Sequence, residues 1–589
     1  LKHGWNKAAR MGMIGALAMS QGAALAQPAS GAPDLVLMNG KVITVDRGDS
    51  VAQAIAIKDG KILAVGSNAQ ITRMASGATK RVDLGGRTVT PGLIDTHAHL
   101  VSGGVGERYS IILGSDAVKS IADVKRLVAA KVAAAKPGEW ITGSGWDEGK
   151  LAEKRYIHAA DLDEVAPNNP VVLTHTTGHY AVANSAALKI GGVTRDTQAP
   201  PGGTIDKNPD GSLTGVLKEG AMGLVRSHVP DTTDEQTREG LLTSAQTFVS
   251  ECVTAVKDPI VSTQSWNAYK QVQSEGRLPL RIFGLWGNPR TDEDARALIS
   301  RIGPTTKPYQ TTGDDQLISG GVKMFIDGSG GARTAWMHDD WHKDFTGVDT
   351  GNKGYPMVEP AAAFARLKMY HDAGIHVGAH AIGDRAIDWL VDSYKTVQEA
   401  NPKPGIRHSI IHGNTPTPHA VAVMADLQKR YDTGYPEAQA PFMWYLGDTY
   451  AANLGPERAP NLKPFKAFLD KGVIWAGGSD YPVTPIPARY GLWASVERAT
   501  MLGTWGKTPF GMGNSVDVHV ALRSYTDWAS RQLFLEKKVG TIEPGKYADL
   551  AVWDKDVYAI PTDTLKDLKC EMTFMGGKPV YRAPTAPQI

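Results

Sequence analysis

The sequence predicts an α/β protein, a (β/α)8 TIM-like barrel with a small β domain assembled from both ends of the chain. Three observations predict it. Short apolar strands alternate with helical segments over roughly four hundred residues of the middle of the chain. At the termini the rhythm changes to strands joined by turn dipeptides, Asn39-Gly40 and Asp59-Gly60 near the start and Gly576-Gly577 near the end. The residues able to do chemistry fall where the apolar strands stop, which is the face on which barrels build their sites.

The chain starts with Lys2, His3, Lys7 and Arg10, an apolar run over 11–19, and Ala24-Leu25-Ala26. This is the order of a secretory signal peptide over 1–26, so export to a bacterial periplasm is expected. The apolar run falls short of the roughly 20 residues that span a bilayer, so no stable membrane span is expected. After a Pro/Ala/Ser/Gly linker at 27–33, strands are expected at 35–38, 42–45, 54–57 and 62–65, and again at 549–553, 573–575 and 579–581. Neither set alone has enough strands to bury a core, so 34–90 and 536–589 are expected to complete one domain.

Residues 91–535 then form the barrel. One βα unit is legible at 359–380: Pro360 suits the first helical position, Phe364 and Leu367 share a face, Gly374 can end the helix, and a strand resumes. Further barrel strands are expected at 171–175, 321–327, 408–412 and 473–480. The Gly- and Pro-rich stretch at about 105–227 reads as an elaborated region on this scaffold.

Composition excludes some functions. Lys plus Arg number 63 against 61 acidic residues, a net charge of +2, which gives no basic field for nucleic acid. Cys252 and Cys570 are the only cysteines, so there is neither a disulfide scaffold nor a thiolate metal site, although a single bridge between them is compatible with the sequence. Any metal must be held by His, Asp, Glu or Lys.

The stretch 91–99 carries His97 and His99 at alternate positions of an expected strand, so both imidazoles project to one side, close enough to share a cation. Lys323 lies in an apolar strand, where an ammonium is costly unless paired or chemically altered; carbon dioxide would convert the neutral amine into an anionic carbamate. His380 and His412 each close a strand, with His376 and His408 deeper on the same faces. Asp480 stands where Tyr481-Pro482 must stop its strand. The competing structural readings are a Lys323–Asp327 pair, hydrogen-bonded core histidines at 376 and 408, and a turn-capping Asp480.

In chain order, His-x-His, Lys, His, His and Asp resemble the binuclear site of the amidohydrolase superfamily. Gly145-Trp146-Asp147, Gly178-His179 with Asn184-Ser185, Gly202-Gly203-Thr204 and the run 540–549 are similar to amidohydrolase family 3, the branch containing N-substituted formamide deformylases. The resemblance covers nearly all of the chain after the leader and implies a distorted TIM barrel with a β-sandwich-like domain. It also implies two divalent metal ions, with His97, His99, Lys323 and Asp480 on the first and a shared, carboxylated Lys323 with His380 and His412 on the second. Zinc suits these donors, and it would acidify a bound water to a pKa of about 7, making hydroxide available for attack on an amide-type carbonyl. Asp480 would shuttle the proton to the departing nitrogen. The chain departs from the family pattern at Ile411, where an acidic residue is common, and at Gln439-Ala440-Pro441.

The substrate is expected to be a small amide, formamide or N-acyl compound. His179 and Tyr180 are candidates to hold its carbonyl or leaving group, and Arg333 to meet a carboxylate. Trp146 and Tyr481, with Trp336, Trp444 and Tyr445, are candidates to line an apolar pocket. The alternatives are an ester, lactone or carbamate hydrolase on the same site, or a non-catalytic periplasmic binding or regulatory protein. A homo-oligomer is compatible with all of them.

Overall fold

The computed structural model describes residues 31–306, 314–342, 351–503 and 511–589; the expected signal peptide lies outside them. Eight parallel strands run in sequence order around the central sheet: β1 (Leu93–Asp95), β2 (Val253–Val261), β3 (Arg281–Gly287), β4 (Leu317–Phe325), β5 (His376–Ala381), β6 (Ser409–His412), β7 (Tyr435–Ala438) and β8 (Ala476–Gly477). The ring closes just past the strand ends, where Thr96 N donates to Gly477 O over 3.0 Å and Asp480 N donates to His97 O over 2.6 Å. Closure removes both sheet edges, and it sets the His97 and Asp480 segments side by side.

Strand alternation fills the barrel. Ile94, Ala255, Phe283, Leu285, Ile318, Ile411 and Ala476 form one buried cluster with Ala529, Leu533, Leu535 and Val539 from the segment that follows the last strand. The helix over Pro360–Asp372 starts on Pro360 and ends before Gly374, whose φ of +73° favours glycine, and the chain re-enters the sheet as β5.

Both termini contribute to a pair of sheets. Leu35–Met38 sits in a four-stranded sheet with Ala54–Lys58, Lys61–Gly66 and Lys80–Asp83. The C-terminal strands Leu550–Trp553, Cys570–Met575 and Lys578–Arg582 join Thr88–Pro91, Lys41–Ile43 and Val51–Ala52 in a six-stranded one. Leu37, Val42, Ile55, Val89, Leu550, Val552 and Phe574 share the core. The turns at Asp59-Gly60 and Gly576-Gly577 are hairpins. Asn39-Gly40 is not: Leu35–Met38 and Lys41–Ile43 belong to different sheets, so the dipeptide carries the chain from one layer to the other, with Asn39 at φ 56°. A turn dipeptide specifies local backbone shape and leaves the pairing partner to the tertiary fold.

Between β1 and β2 lies the elaborated region. It carries its own six-stranded sheet, ordered Gly203–Lys207, Leu213–Glu219, Tyr180–Ala183, Val171–His175, Ile141–Trp146, Ile111–Ile112. Val171–His175, expected in the barrel, is therefore a strand of this insertion. Its apolar run fits any strand buried on both faces, whichever sheet owns it. Cys252 and Cys570 form a disulfide with a Cα–Cα distance of 5.5 Å, tying the segment entering β2 to the C-terminal sheet.

Candidate metal centre

The six residues singled out from the sequence converge at the C-terminal mouth of the barrel. His97 and His99 lie in the extended segment just beyond β1, and both aim Nε2 at Asp480 Oδ1, over 3.4 and 3.3 Å. Lys323, from β4, places Nζ 3.3 Å from His97 Nε2. His412 Nδ1 is 3.9 Å from Asp480 Oδ2, and the His380 and His412 rings are 4.5 Å apart. His412 and Asp480 hold positive φ, 76° and 59°, a conformation that costs a non-glycine residue free energy and recurs at functional sites.

Backbone and side-chain contacts hold these candidate ligands from behind. Asp95 Oδ1 accepts from His97 N and from Ser479 N, both over 3.0 Å, and so locks the His-x-His segment to the Asp480 loop. His380 Nε2 donates to Gly328 O over 2.9 Å, which leaves its Nδ1 as the lone pair. His412 Nδ1 donates to Gln439 Oε1 over 2.8 Å, and this amide is oriented by donating its own NH2 to Glu437 O; Nε2 of His412 keeps the lone pair. Gln439, a departure from the family pattern, thus sets the tautomer of a proposed ligand. Lys463, buried, donates to His412 O over 2.6 Å. Sequence reasoning did not assign Gln439 or Lys463 these tasks, because their partners lie on other strands.

The competing readings of these residues fare unequally. Asp327 takes hydrogen bonds from the backbone N–H groups of Trp336, Ile382 and Gly383 and does not pair with Lys323. His376 bonds Lys257 Nζ at 2.9 Å below the site, where Lys257 also pairs with buried Glu437. His408 accepts from Val377 N and faces His371. Both inner histidines belong to the core.

Burial sets the charge states. It pushes His97 down to about 3, helped by the Lys323 ammonium, and holds His380 and His412 well below the usual imidazole range. Lys323 is lowered to about 7 by burial, against the opposing charge of Asp480, so its neutral amine is well populated near neutral pH. Burial alone would raise Asp480, yet the surrounding imidazoles, His97 first, hold it well below the ordinary carboxylate value. The result is that His97, His380 and His412 favour their neutral forms and Asp480 its charged one, the protonation states a cation requires. Donor atoms of His97, His99 and Asp480 lie within 4.8 Å of one another, and both His97 Nδ1 and Asp480 Oδ1 are buried without a hydrogen-bond partner. This all-nitrogen-and-oxygen donor set fits a divalent metal.

Of the expected substrate contacts, His179 reaches the site, its ring centred 5.0 Å from that of His380. Tyr180 does not. Adjacent strand residues face opposite ways, so Tyr180 turns into the insertion, stacks on His175 and donates to Glu148 over 2.7 Å. Trp146 is fully buried there too, with Nε1 on Leu173 O. Arg333 is buried and bonds Asn453. Tyr481 packs against Gly103 and Phe248, and it is its carbonyl that serves the site, accepting from His99 N over 2.8 Å. The sequence missed Glu219, whose carboxylate meets His179 Nδ1 over 2.9 Å.

A model of the amidohydrolase family matches residues 80–581. Protein LONG AFTER FAR-RED 3 of Arabidopsis thaliana is 31% identical over 578 residues, covering 95% of this chain and 93% of that protein. An N-substituted formamide deformylase of Arthrobacter pascens is 28% identical over 561 residues, covering 92% and 97%. Among solved structures, an uncharacterized metal-dependent hydrolase of Pyrococcus horikoshii superposes with a TM-score of 0.68 at 23% identity, over 90% of this chain and 99% of that one.

Proposed function

The chain belongs to the amidohydrolase family and is a metal-dependent hydrolase; from that premise we propose that it cleaves a non-peptide C–N bond in a small amide, formamide or N-acyl compound. The relative named as an N-substituted formamide deformylase supports this bond class. His97, His99, Asp480 and Lys323 would hold one divalent ion, and Lys323, His380 and His412 a second. Two zinc ions there would supply an acidified water and a Lewis acid for the carbonyl.

Lys323 is suited to share both sites as its carbamate. Carbon dioxide adds to the neutral amine with loss of a proton, and the buried amine stays substantially neutral at ordinary pH. Gly328 O and Gln439 hold the rings of His380 and His412 by a hydrogen bond each, which pre-sets their orientation. Asp480 accepts the proton of the attacking water as the C–O bond forms and gives it to the nitrogen as the C–N bond breaks. One observation carries the reading: Asp480 Oδ1 lies within 3.3–3.4 Å of two imidazoles and has no hydrogen-bond donor of its own, so it is free to move a proton.

Export to the periplasm is part of the proposal. It is supported by the Cys252–Cys570 disulfide, a feature of oxidising compartments, and by the leader-like first 26 residues. No helix among the described residues is long and apolar enough to cross a membrane.

The test is a hydrolysis panel on zinc-reconstituted protein, spanning N-formyl, N-acetyl and N-acyl amino acids and matched esters and lactones. Faster turnover of the amides is expected. Asp480→Asn should keep bound zinc and lose roughly 10²–10⁴-fold in kcat. Preference for the esters would move the enzyme to the other bond class, and zinc binding with no turnover of either would sink the catalytic reading.

A further inference from the structure

The insertion sheet reaches the metal centre at one place. His179 follows Gly178 in the turn between two of its strands, and Glu219 ends the neighbouring strand Leu213–Glu219, with Glu219 N donating to His179 O over 2.8 Å. Both carboxylate oxygens face His179 Nδ1, over 2.9 and 3.1 Å. Among the described residues no other basic group lies within ion-pair distance of Glu219, which is only 4% exposed. The carboxylate is held from the barrel side as well. Thr334 donates its hydroxyl to Oε1 and accepts from Ser329 N over 2.9 Å.

Gly328 completes the arrangement. A Cβ on it would lie 2.3 Å from Glu219 Oε1, while its carbonyl holds Nε2 of His380. One glycine therefore presses the insertion carboxylate on one side and fixes a proposed metal ligand on the other. Glu219 keeps φ 50° and ψ −126°, a backbone conformation that persists in a non-glycine residue only where surrounding contacts over-determine it. With Nδ1 committed to Glu219, the atom of His179 left for another partner is Nε2, which has no hydrogen bond among the described residues. The side chain is 14% exposed and its ring lies beside those of His380 and Phe325, at 5.0 and 6.5 Å.

We propose that Glu219 is a positioning residue that turns Nε2–H of His179 onto the carbonyl oxygen of the substrate, so that the insertion supplies the hydrogen-bond donor facing the barrel's metal ligands. This rests on the hydrolase reading of the same site. No bond is made or broken by the pair: a fixed donor meets the negative charge that grows on oxygen as the carbonyl is attacked, and a carboxylate behind the ring fixes the tautomer and steadies the donor.

The test compares zinc-loaded wild type, Glu219→Gln, Glu219→Asp, His179→Gln, Thr334→Val and the Glu219→Gln/His179→Gln double variant. Two readouts are taken: kcat and KM on the best amide of the panel, and the affinity for inorganic phosphate, a tetrahedral oxyanion probe, by calorimetry. Glu219→Gln should lose on the order of 10–100-fold, chiefly in kcat, with zinc content unchanged. Glu219→Asp should recover part of that loss, Thr334→Val should lose less, and the double variant should be no worse than His179→Gln alone. Phosphate affinity should follow the same pattern. Additive losses in the double variant, a Glu219→Gln effect seen only in thermal stability, or no coupling in either readout would overturn the proposal. A panel without any turnover but with coupled phosphate binding would sink the amide reading and leave the Glu219–His179 pair standing.

Discussion

In the barrel, His97, His380 and His412 are pushed below the ordinary imidazole range by burial. In the insertion, His175 is as deeply buried and the His179 side chain is 14% exposed; burial alone would lower them too, yet Glu148 and Glu219 respectively lift them above it. The difference is in the neighbours. Barrel histidines gather around Asp480 near Lys323, with Asp327 3.6 Å from His380; His175 faces Glu148 at 3.3 Å and Asp147 at 3.9 Å, and His179 faces Glu219 at 2.9 Å. Asp147, Glu148 and His175 bring donor atoms as close together as His97, His99 and Asp480 do, within 4.8 Å. There, however, Lys150 Nζ lies 3.3 Å from Asp147 Oδ2, and Glu148 and Asp147 push His175 up from the ordinary imidazole value despite its burial. Proximity of donors is not sufficient for a metal site; the imidazoles must also be disposed to give up their protons, and burial drives His97 that way while the neighbouring acids drive His175 the other.

The largest expected effect breaks one side of that comparison and spares the other. His97→Asn should lose most of the bound zinc and all measurable turnover, whereas His175→Asn should retain zinc at the wild-type stoichiometry, both read by elemental analysis of dialysed protein. Equal loss from His175→Asn would mean that the insertion trio also binds metal, and the contrast would fail.

Removing the disulfide sharpens it by disturbing the scaffold and neither histidine set. Cys252→Ser/Cys570→Ser should cost about 2–5 kcal/mol of stability in denaturant unfolding, with zinc content unchanged in the folded protein. Zinc loss at that variant would show that the ligand geometry depends on the terminal sheets.

Gly328→Ala strikes where the two sets meet. Its methyl would lie 2.1 Å from Thr334 Oγ1 and 2.3 Å from Glu219 Oε1, and overpacking of this kind costs about 1–3 kcal/mol. Thermal unfolding should register that loss, and kcat should fall by more than the stability change explains, since both His380 and His179 lose their supports. A variant with wild-type kcat would show that the Gly328 contacts are only packing.

The convergence of His97, His99, Lys323, His380, His412 and Asp480 was legible because the six types in that chain order resemble the family's site; taken singly each also fits a structural role, as the inner histidines His376 and His408 do. The two-ended β domain was legible because too few strands stand at either terminus to bury a core. What lay outside sequence logic was orientation. His179 and Tyr180 are neighbours on opposite faces, and alternation cannot say which face meets the barrel. Trp146 likewise reads as a pocket wall or as core, and only the insertion's own sheet decides. Glu219, Thr334 and Gln439 act through partners far away in sequence, so no local pattern marks them, although the acid at a strand end before Gly220 and the altered Gln439-Ala440-Pro441 element were weak signals. The Asn39-Gly40 turn shows the same limit at the level of the fold.

The smallest effect tests the charge assignment itself, through the pH dependence of stability in metal-free protein. His97 has a folded value of about 3 against an ordinary 6.5, so between those limits the unfolded chain binds a proton that the folded one refuses. Its contribution is therefore present above pH 6.5 and is lost as the pH falls, by up to ~1.4 kcal/mol per pH unit. His179 has its folded value raised, so its contribution is complete below 6.5 and is lost as the pH rises through the raised value. The two windows meet at 6.5 and do not overlap. Relative to wild type, His97→Gln should flatten the stability profile on the acid side of that point, and His179→Gln should change it only on the alkaline side, both measured by denaturant midpoints in chelator from pH 5 to 8. If both variants altered the same side, the two histidine sets would carry the same charge and the physical distinction between barrel and insertion would be lost.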